Sequence, residues 1–270
     1  MKIYQPMMGV GAASKDNSYR VIDDAGIEIG LGGLTYRLLK KVYEERPLLI
    51  DMVMNAHPIA RDMLLGALLA RAESIKEEMK DVPARITTSC ALDDHERHDF
   101  FLQMGFDDYN GLELFALKVP DLTDNRHNYP PIGTSIVDVD LKTRKRREEF
   151  LLRMESLGAD QHADEWLTGK MRGVVFIAKA VYYGSDFAGG IIVVGDEREA
   201  NLDFVGVETR WRGKGVASSL IDESLLQLGR QGVPYLVARA ERRNNRAMKV
   251  FRKCGFDWIR TEELLLGKDI

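Results

Sequence analysis

The chain has 270 residues, 45% apolar and 30% charged, with a net charge of −4. That length accommodates two modest cores at roughly 100–200 residues per domain, and the mild acidity gives no electrostatic footprint for nucleic acid. No apolar run approaches the roughly twenty residues of a membrane helix, two cysteines make neither a disulfide framework nor a metal knuckle, and Gln5 and Pro6 interrupt any signal-like start, so a cytoplasmic protein without a metal site is expected.

In chain order, Gly30-Leu31-Gly32-Gly33 reads as a hairpin or loop, because glycine clusters punctuate chains. A strand-like run containing Asp51-Met52-Val53 leads through Pro58-Ile59-Ala60-Arg61-Asp62-Met63 to a helix holding Leu68. Arg97, Phe100, Phe101 and Met104 then recur at helical spacing before Gly105-Phe106. His95 and His98, three apart, fit a solvated helix start better than a metal pair. The polar, proline-bearing stretch 120–134 is the expected boundary between two domains, 1–120 and 121–270.

Beyond it, 141–157 places Leu141, Phe150, Leu151, Met154 and Leu157 on a helical face. Its basic run Arg144-Lys145-Arg146-Arg147 is interleaved with Glu148 and Glu149, the composition of a solvated helix surface. Segments 174–183, 188–194 and 201–207 read as three strands separated by Gly184-Ser185-Asp186 and Gly195-Asp196-Glu197-Arg198.

Arg210-Trp211-Arg212-Gly213-Lys214-Gly215 joins the third of these strands to a helix beginning near Val216. A glycine-rich strand-to-helix turn cradles anions: the glycines let backbone approach a phosphate, and the unpaired amides and dipole of the helix start favour negative charge. A nucleotide P-loop is excluded, since Gly215 follows Lys214 where Ser or Thr belongs and Glu208 stands in place of the earlier glycine. The dinucleotide fingerprint fails too, because Ser218 replaces its last glycine. Val216, Ala217, Leu220, Ile221, Leu225 and Leu228 then mark one buried helix face. After the strand-like Tyr235-Leu236-Val237-Ala238, Asn244 or Asn245 caps a last helix whose apolar positions are Ala247, Val250, Phe251 and Cys254.

Two stretches of this half together resemble the GNAT N-acyltransferase superfamily. Arg210, Gly213 and Gly215 meet the first signature, Q/R-x-x-G-x-G/A; Asn244, Ala247, Lys253, Gly255 and Phe256 meet the second, N-x-x-A-x-x-x-Y-x-K-x-G-F. The resemblance implies an α/β fold with a mixed, mostly antiparallel sheet flanked by helices, and acetyl-CoA as co-substrate without a metal. It implies cofactor contacts at Val207, Arg210, Arg212, Gly213, Lys214, Gly215, Val216 and Asn244. The base that family members take from the strand before the turn falls here to Asp203 or Glu208, with Glu241 third. One departure stands out: Phe251 occupies the tyrosine position that in many members protonates the leaving thiolate. Tyr235, Tyr182, Tyr183 or water then remain as proton donors.

The acidic segment 158–166, with Asp160, Asp164, Glu165 and Trp166, falls where this family lines its acceptor site. Carboxylates and an aromatic favour a cationic small-molecule amine, without a nucleic-acid or membrane partner, the protein acting as monomer or homodimer. A protein amino terminus is the rival acceptor, and a CoA-binding sensor or scaffold that has lost catalysis is the rival function.

The first half repeats the second in weakened form. Asp51-Met52-Val53 parallels Asp203-Phe204-Val205, Leu68 parallels Leu220, Phe101 parallels Phe251, and Gly105-Phe106-Asp107 parallels Gly255-Phe256-Asp257. Two tandem GNAT-like lobes follow, the first without CoA binding, because Pro58 to Met63 lacks both glycines and Asp62 would repel a pyrophosphate. Only the segment before Leu49 is left to form its front strands, which are expected to be incomplete. Its expected task is to pack on the active lobe and shape the acceptor cleft.

Overall fold

The structure is a computed structural model and describes residues 1–39, 45–80, 82–120, 130–159 and 162–270. The middle of the expected boundary stretch, 121–129, and Asp160 lie outside the described residues.

The chain runs through β1 (Lys2–Tyr4), β2 (Ser18–Ile22), β3 (Glu28–Leu38), β4 (Leu48–Ala56), α1 (Arg61–Glu78), β5 (Ala84–Ala91), α2 (His95–Gln103) and β6 (Asp107–Lys118). It continues through β7 (Thr134–Asp138), α3 (Arg144–Leu157), α4 (Asp164–Lys170), β8 (Val175–Tyr183), β9 (Asp186–Gly195), β10 (Ala200–Val207), α5 (Val216–Gln231), β11 (Tyr235–Glu241), α6 (Asn245–Cys254) and β12 (Asp257–Asp269). Two compact units result: Met1–Leu112 with Thr261–Ile270, and Glu113–Arg260.

These units do not divide at 120/121. The break falls inside β6, and the last residues of the chain return to the first unit. The physical reason is strand pairing. The end of β12 forms an antiparallel ladder with β5, from Glu263 opposite Ala91 to Asp269 opposite Arg85, so backbone hydrogen bonds rather than sequence proximity assign it. Composition locates a polar connection; it does not reveal which sheet a later strand joins.

In the first unit β1, β2, β3 and β4 are antiparallel neighbours in turn, β4 is parallel to β5, and β5 is antiparallel to β12. In the second, β7, β8, β9 and β10 follow one another antiparallel, β10 is parallel to β11, and the end of β6 lies next to β11. Both are therefore mixed, mostly antiparallel sheets. The first unit has its front strands after all: residues before Leu48 supply three.

Gly30, Gly32 and Gly33 lie inside β3, where a hairpin or loop was expected. Close packing sets the residue type there. A Cβ on Gly32 would lie 2.9 Å from Leu68 Cδ1, and one on Gly33 would lie 2.8 Å from Ala13 Cβ. Glycine here admits the helix and the chain's leading segment against the sheet, and a periodicity reading has no term for that contact.

Helices cover the sheets unequally. In the second unit α5 and α6 bury one face through Val216, Leu220, Leu228, Ile191, Leu236 and Phe251, while α3 and α4 bury the other through Phe150, Met154, Leu167, Ile192 and Val194. In the first unit α1 and α2 build a core with Ile50, Leu64, Leu68, Ile86 and Phe101. The positions matching α3 and α4, between β1 and β2, hold only a 3₁₀ turn, Lys15–Asn17.

Candidate active site at the open end of the parallel strands

Strands β10 and β11 run parallel and each feeds a helix, so the amino ends of α5 and α6 open at the same edge of the sheet. That edge, at the carboxyl ends of parallel strands, is where α/β folds place ligands. The ladder between the two strands holds three pairs, from Ala200 opposite Leu236 to Leu202 opposite Ala238. On its other side β10 loses register with β9 between Leu202 and Phe204, so Asp203 sits in a bulge. Past the bulge, Phe204 to Val207 remain paired with β9 alone and lead into the turn.

The turn is built from backbone. After the 3₁₀ segment Thr209–Trp211, Gly213 has φ +75° and Gly215 φ +91°, both left-handed. A Cβ at either would meet no protein atom within 4 Å, so conformation and not crowding calls for glycine. Gly215 caps α5 without a side-chain hydrogen bond. The amides of Val216 and the two residues after it have no carbonyl four residues earlier within the helix, which leaves donors and the positive dipole end facing the turn.

The predicted contact residues divide within it. Val207 ends β10, and its carbonyl accepts Arg212 Nε at 3.2 Å; the Arg212 amide donates to Thr209 O at 3.3 Å. Arg212 thus holds the turn to the strand. Arg210 reaches Asp186 at 3.2 Å, and Lys214 Nζ lies 4.7 Å from the Trp211 ring centroid. Gly213, Gly215 and Val216 present the backbone. Asn244 caps α6, its Oδ1 accepting the Ala247 amide at 3.1 Å, so the structure gives this side chain the capping role.

Asp203 stands four residues before Val207 on the same strand, and its Oδ2 pairs with Lys170 Nζ at 2.7 Å. Glu208 follows the strand, with its amide on Ala188 O at 2.9 Å. Phe251 is 3% exposed and packs against Phe115 and Phe256 at 5.4 and 5.1 Å, so this position belongs to the core. Among the proposed proton donors, Tyr235 begins β11 and is therefore at the strand end remote from the turn. Tyr183 approaches it through Trp211, ring centroids 5.3 Å apart, whereas the Tyr182 hydroxyl accepts from Arg153 at 2.8 Å.

On the acidic segment, Asp164 is not available as an ammonium-attracting carboxylate. Arg147 binds it with two donors, Nε at 2.5 Å and a terminal nitrogen at 2.9 Å, and this pairing holds its carboxyl below the usual range. The bond ties the start of α4 to α3. Glu165 remains exposed. His162 stacks on Trp166 at 3.9 Å, and Lys170, one turn on, lies 5.4 Å from the same ring on its way to Asp203. Sequence reading missed Lys170; its spacing of four from Trp166 was the available signal, and only the fold brings it to β10.

The acetyltransferase (GNAT) family model matches residues 142–256. No functionally curated protein matches the chain in sequence. Among solved structures, a GCN5-related N-acetyltransferase from Sphaerobacter thermophilus is similar over 94% of this chain and 80% of its own, with 17% identity and a TM-score of 0.53. A tandem GNAT protein from the clavulanic acid biosynthesis pathway is similar over 93% and 82%, with 16% identity and a TM-score of 0.51. A GCN5-related N-acetyltransferase from Anabaena variabilis is similar over 94% and 63%, with 9% identity and a TM-score of 0.57. At such identities the likeness is one of fold, and it extends through both units. The carboxy-terminal half of the chain, over residues 142–256, is an acyltransferase domain of the GNAT family.

Proposed function

We propose that the protein transfers an acetyl group from acetyl-CoA to the primary amine of a small molecule by direct attack. The observation that carries this reading is the pair of left-handed glycines, Gly213 and Gly215, opening onto an α5 start without a side-chain cap, next to a parallel ladder that ends after three pairs. Amides of Gly213, Gly215 and Val216 hold the pyrophosphate, with Lys214 and Arg210 beside them. The arm of the co-substrate runs between the ends of β10 and β11.

The bound thioester supplies an activated acyl carbon and a thiol leaving group. The chain's part is to orient the amine, take its proton and favour charge on the carbonyl oxygen. Asp203 is the proposed base, its carboxylate set by Lys170; Glu208, at the strand end, is the second candidate. A donor near Val207 serves the oxyanion. With Phe251 in the core, the thiolate leaves without a tyrosine at that position, which is tolerable for a thiol of pKa about 8.5. The exposed Glu165 favours a cationic acceptor, and the cytoplasm is the proposed compartment.

Phe251 also favours a second reading, a CoA-binding module without turnover. Calorimetry with CoA and thiol release from acetyl-CoA over a panel of polyamines, amino sugars, amino acid derivatives and amino-terminal peptides separate the two. Binding with turnover on a small amine supports the proposal. Binding without turnover on any amine selects the module, turnover confined to the peptides selects amino-terminal acetylation of proteins, and no binding ends all three.

A further inference from the structure

The two units answer differently the question of what lies between their parallel strands. In the first, the ladder of β4 with β5 stops at Asp51 opposite Thr87. Beyond it Arg97 of α2 crosses the gap: one terminal nitrogen donates to Met54 O at 2.7 Å, Nε to Ser89 O at 3.3 Å, and the other terminal nitrogen to Thr88 Oγ1 at 3.4 Å. Met54 lies three residues past the ladder on β4; Thr88 and Ser89 lie one and two past it on β5. The guanidinium also rests 5.1 Å from the ring centroid of Phe101, which is fully buried. Where two strands part, their inward-facing backbone groups need partners, and a planar fork of five donors supplies several at once.

The matching residue of the second unit is Ala247. Both are third in the last helix, and both amides bind the cap oxygen at 3.1 Å, Arg97 that of Asp94 and Ala247 that of Asn244. Phe101 and Phe251, four residues later, occupy the same place in their cores. Ala247 stops at a methyl group, too short to bridge from α6 across β10 and β11.

We infer that Arg97 is a built-in occupant of the first unit's interstrand space, and that this helix position, arginine in one unit and alanine in the other, decides which unit admits the arm of an acyl-CoA. The second half of the inference rests on the acyl-CoA reading above; the first half stands without it. The first unit thus closes its own sheet with a side chain, at the place the second leaves to a ligand.

Substitutions at the two positions, made in the full chain, test it. R97A is expected to lower the melting temperature by roughly 5–10 °C and to speed amide exchange in β4, β5 and α2. About 20 mM methylguanidinium, far below denaturing concentrations, is expected to recover at least half of that loss in R97A and to leave the unaltered chain unmoved. Wild-type stability in R97A, or a loss that methylguanidinium does not reduce, overturns the assignment. If R97A does not fold alone, refolding it with and without methylguanidinium gives the same reading: recovery supports an occupant's role and no recovery overturns it. A247R is expected to weaken CoA binding by at least about 100-fold with its melting temperature held, whereas A247S keeps wild-type affinity; A247Q replaces A247R if the arginine prevents folding. Undiminished binding in the bulky variant overturns the second half. Failure of the unaltered chain to bind CoA sinks the acyl-transfer proposal instead, and the methylguanidinium experiment still decides Arg97.

Discussion

The turn before α1 and the turn before α5 begin from the same bond. Arg61 Nε donates to Ala56 O at 3.4 Å and Arg212 Nε to Val207 O at 3.2 Å, each arginine reaching back to the last carbonyl of its strand. They part at the next residue. After Arg212 come Gly213, Lys214 and Gly215, two of them left-handed, and α5 starts only at Val216. Arg61 is itself the first residue of α1, entered from a 3₁₀ turn Pro58–Ala60, with Asp62 in the first helical turn and Arg61 paired to Glu96 at 2.7 Å. Two glycines therefore convert what is a wound helical turn in one unit into an open loop in the other. The fold supplies the edge; the backbone conformation of two residues supplies the cradle.

The comparison breaks most visibly at Gly213. Aspartate there adds a carboxylate like that of Asp62 where the pyrophosphate is proposed to sit, and like charges repel, so G213D should weaken CoA binding by about 100-fold or more in calorimetry. Unchanged affinity would show that the cradle lies elsewhere. A smaller effect is expected on β10. D203N should lower kcat by about 100-fold, in the range of a general base, while CoA affinity stays within about twofold. If kcat holds, Glu208 takes the base role, and E208Q should show the loss.

The caps sharpen the comparison because the two are alike. N244A and D94A should each destabilise the protein by about 1 kcal/mol, since each removes one side-chain bond to a helix amide. An equal loss in both, with CoA affinity intact in N244A, limits Asn244 to capping; a drop in affinity as well assigns it a ligand contact. The smallest effect concerns pH. His98 binds Asp108 at 2.8 Å, and this hydrogen bond raises the imidazole above its ordinary 6.5. A raised folded-state pKa stabilises below 6.5 and loses that contribution as pH climbs through the folded value. The second unit has Met248 in the same helix position, so between pH 6 and pH 8 the protection factors of the α2 amides, with the base-catalysed rise in intrinsic exchange divided out, should fall while those of α6 hold, and H98M should abolish the difference.

Much of this architecture was legible in local sequence. The strands β8 to β10, the helices α5 and α6 and the cap at Asn244 are written in periodicity, glycines and capping residues, because each is decided by contacts within a few positions along the chain. The twin glycines and their cationic neighbours were equally plain, since left-handed conformation is a property of single residues. Long-range pairing decided the rest. The end of β12 belongs to the first unit through its ladder with β5. Gly32 sits in a strand because Leu68 packs on it, Asp164 is taken by Arg147, Lys170 reaches Asp203, and Arg97 spans two strands that its own sequence neighbours do not mention. Each of these depends on which distant backbone or side chain arrives within a few ångströms, and that is set by how sheets and helices pack rather than by the order of residues along any one segment.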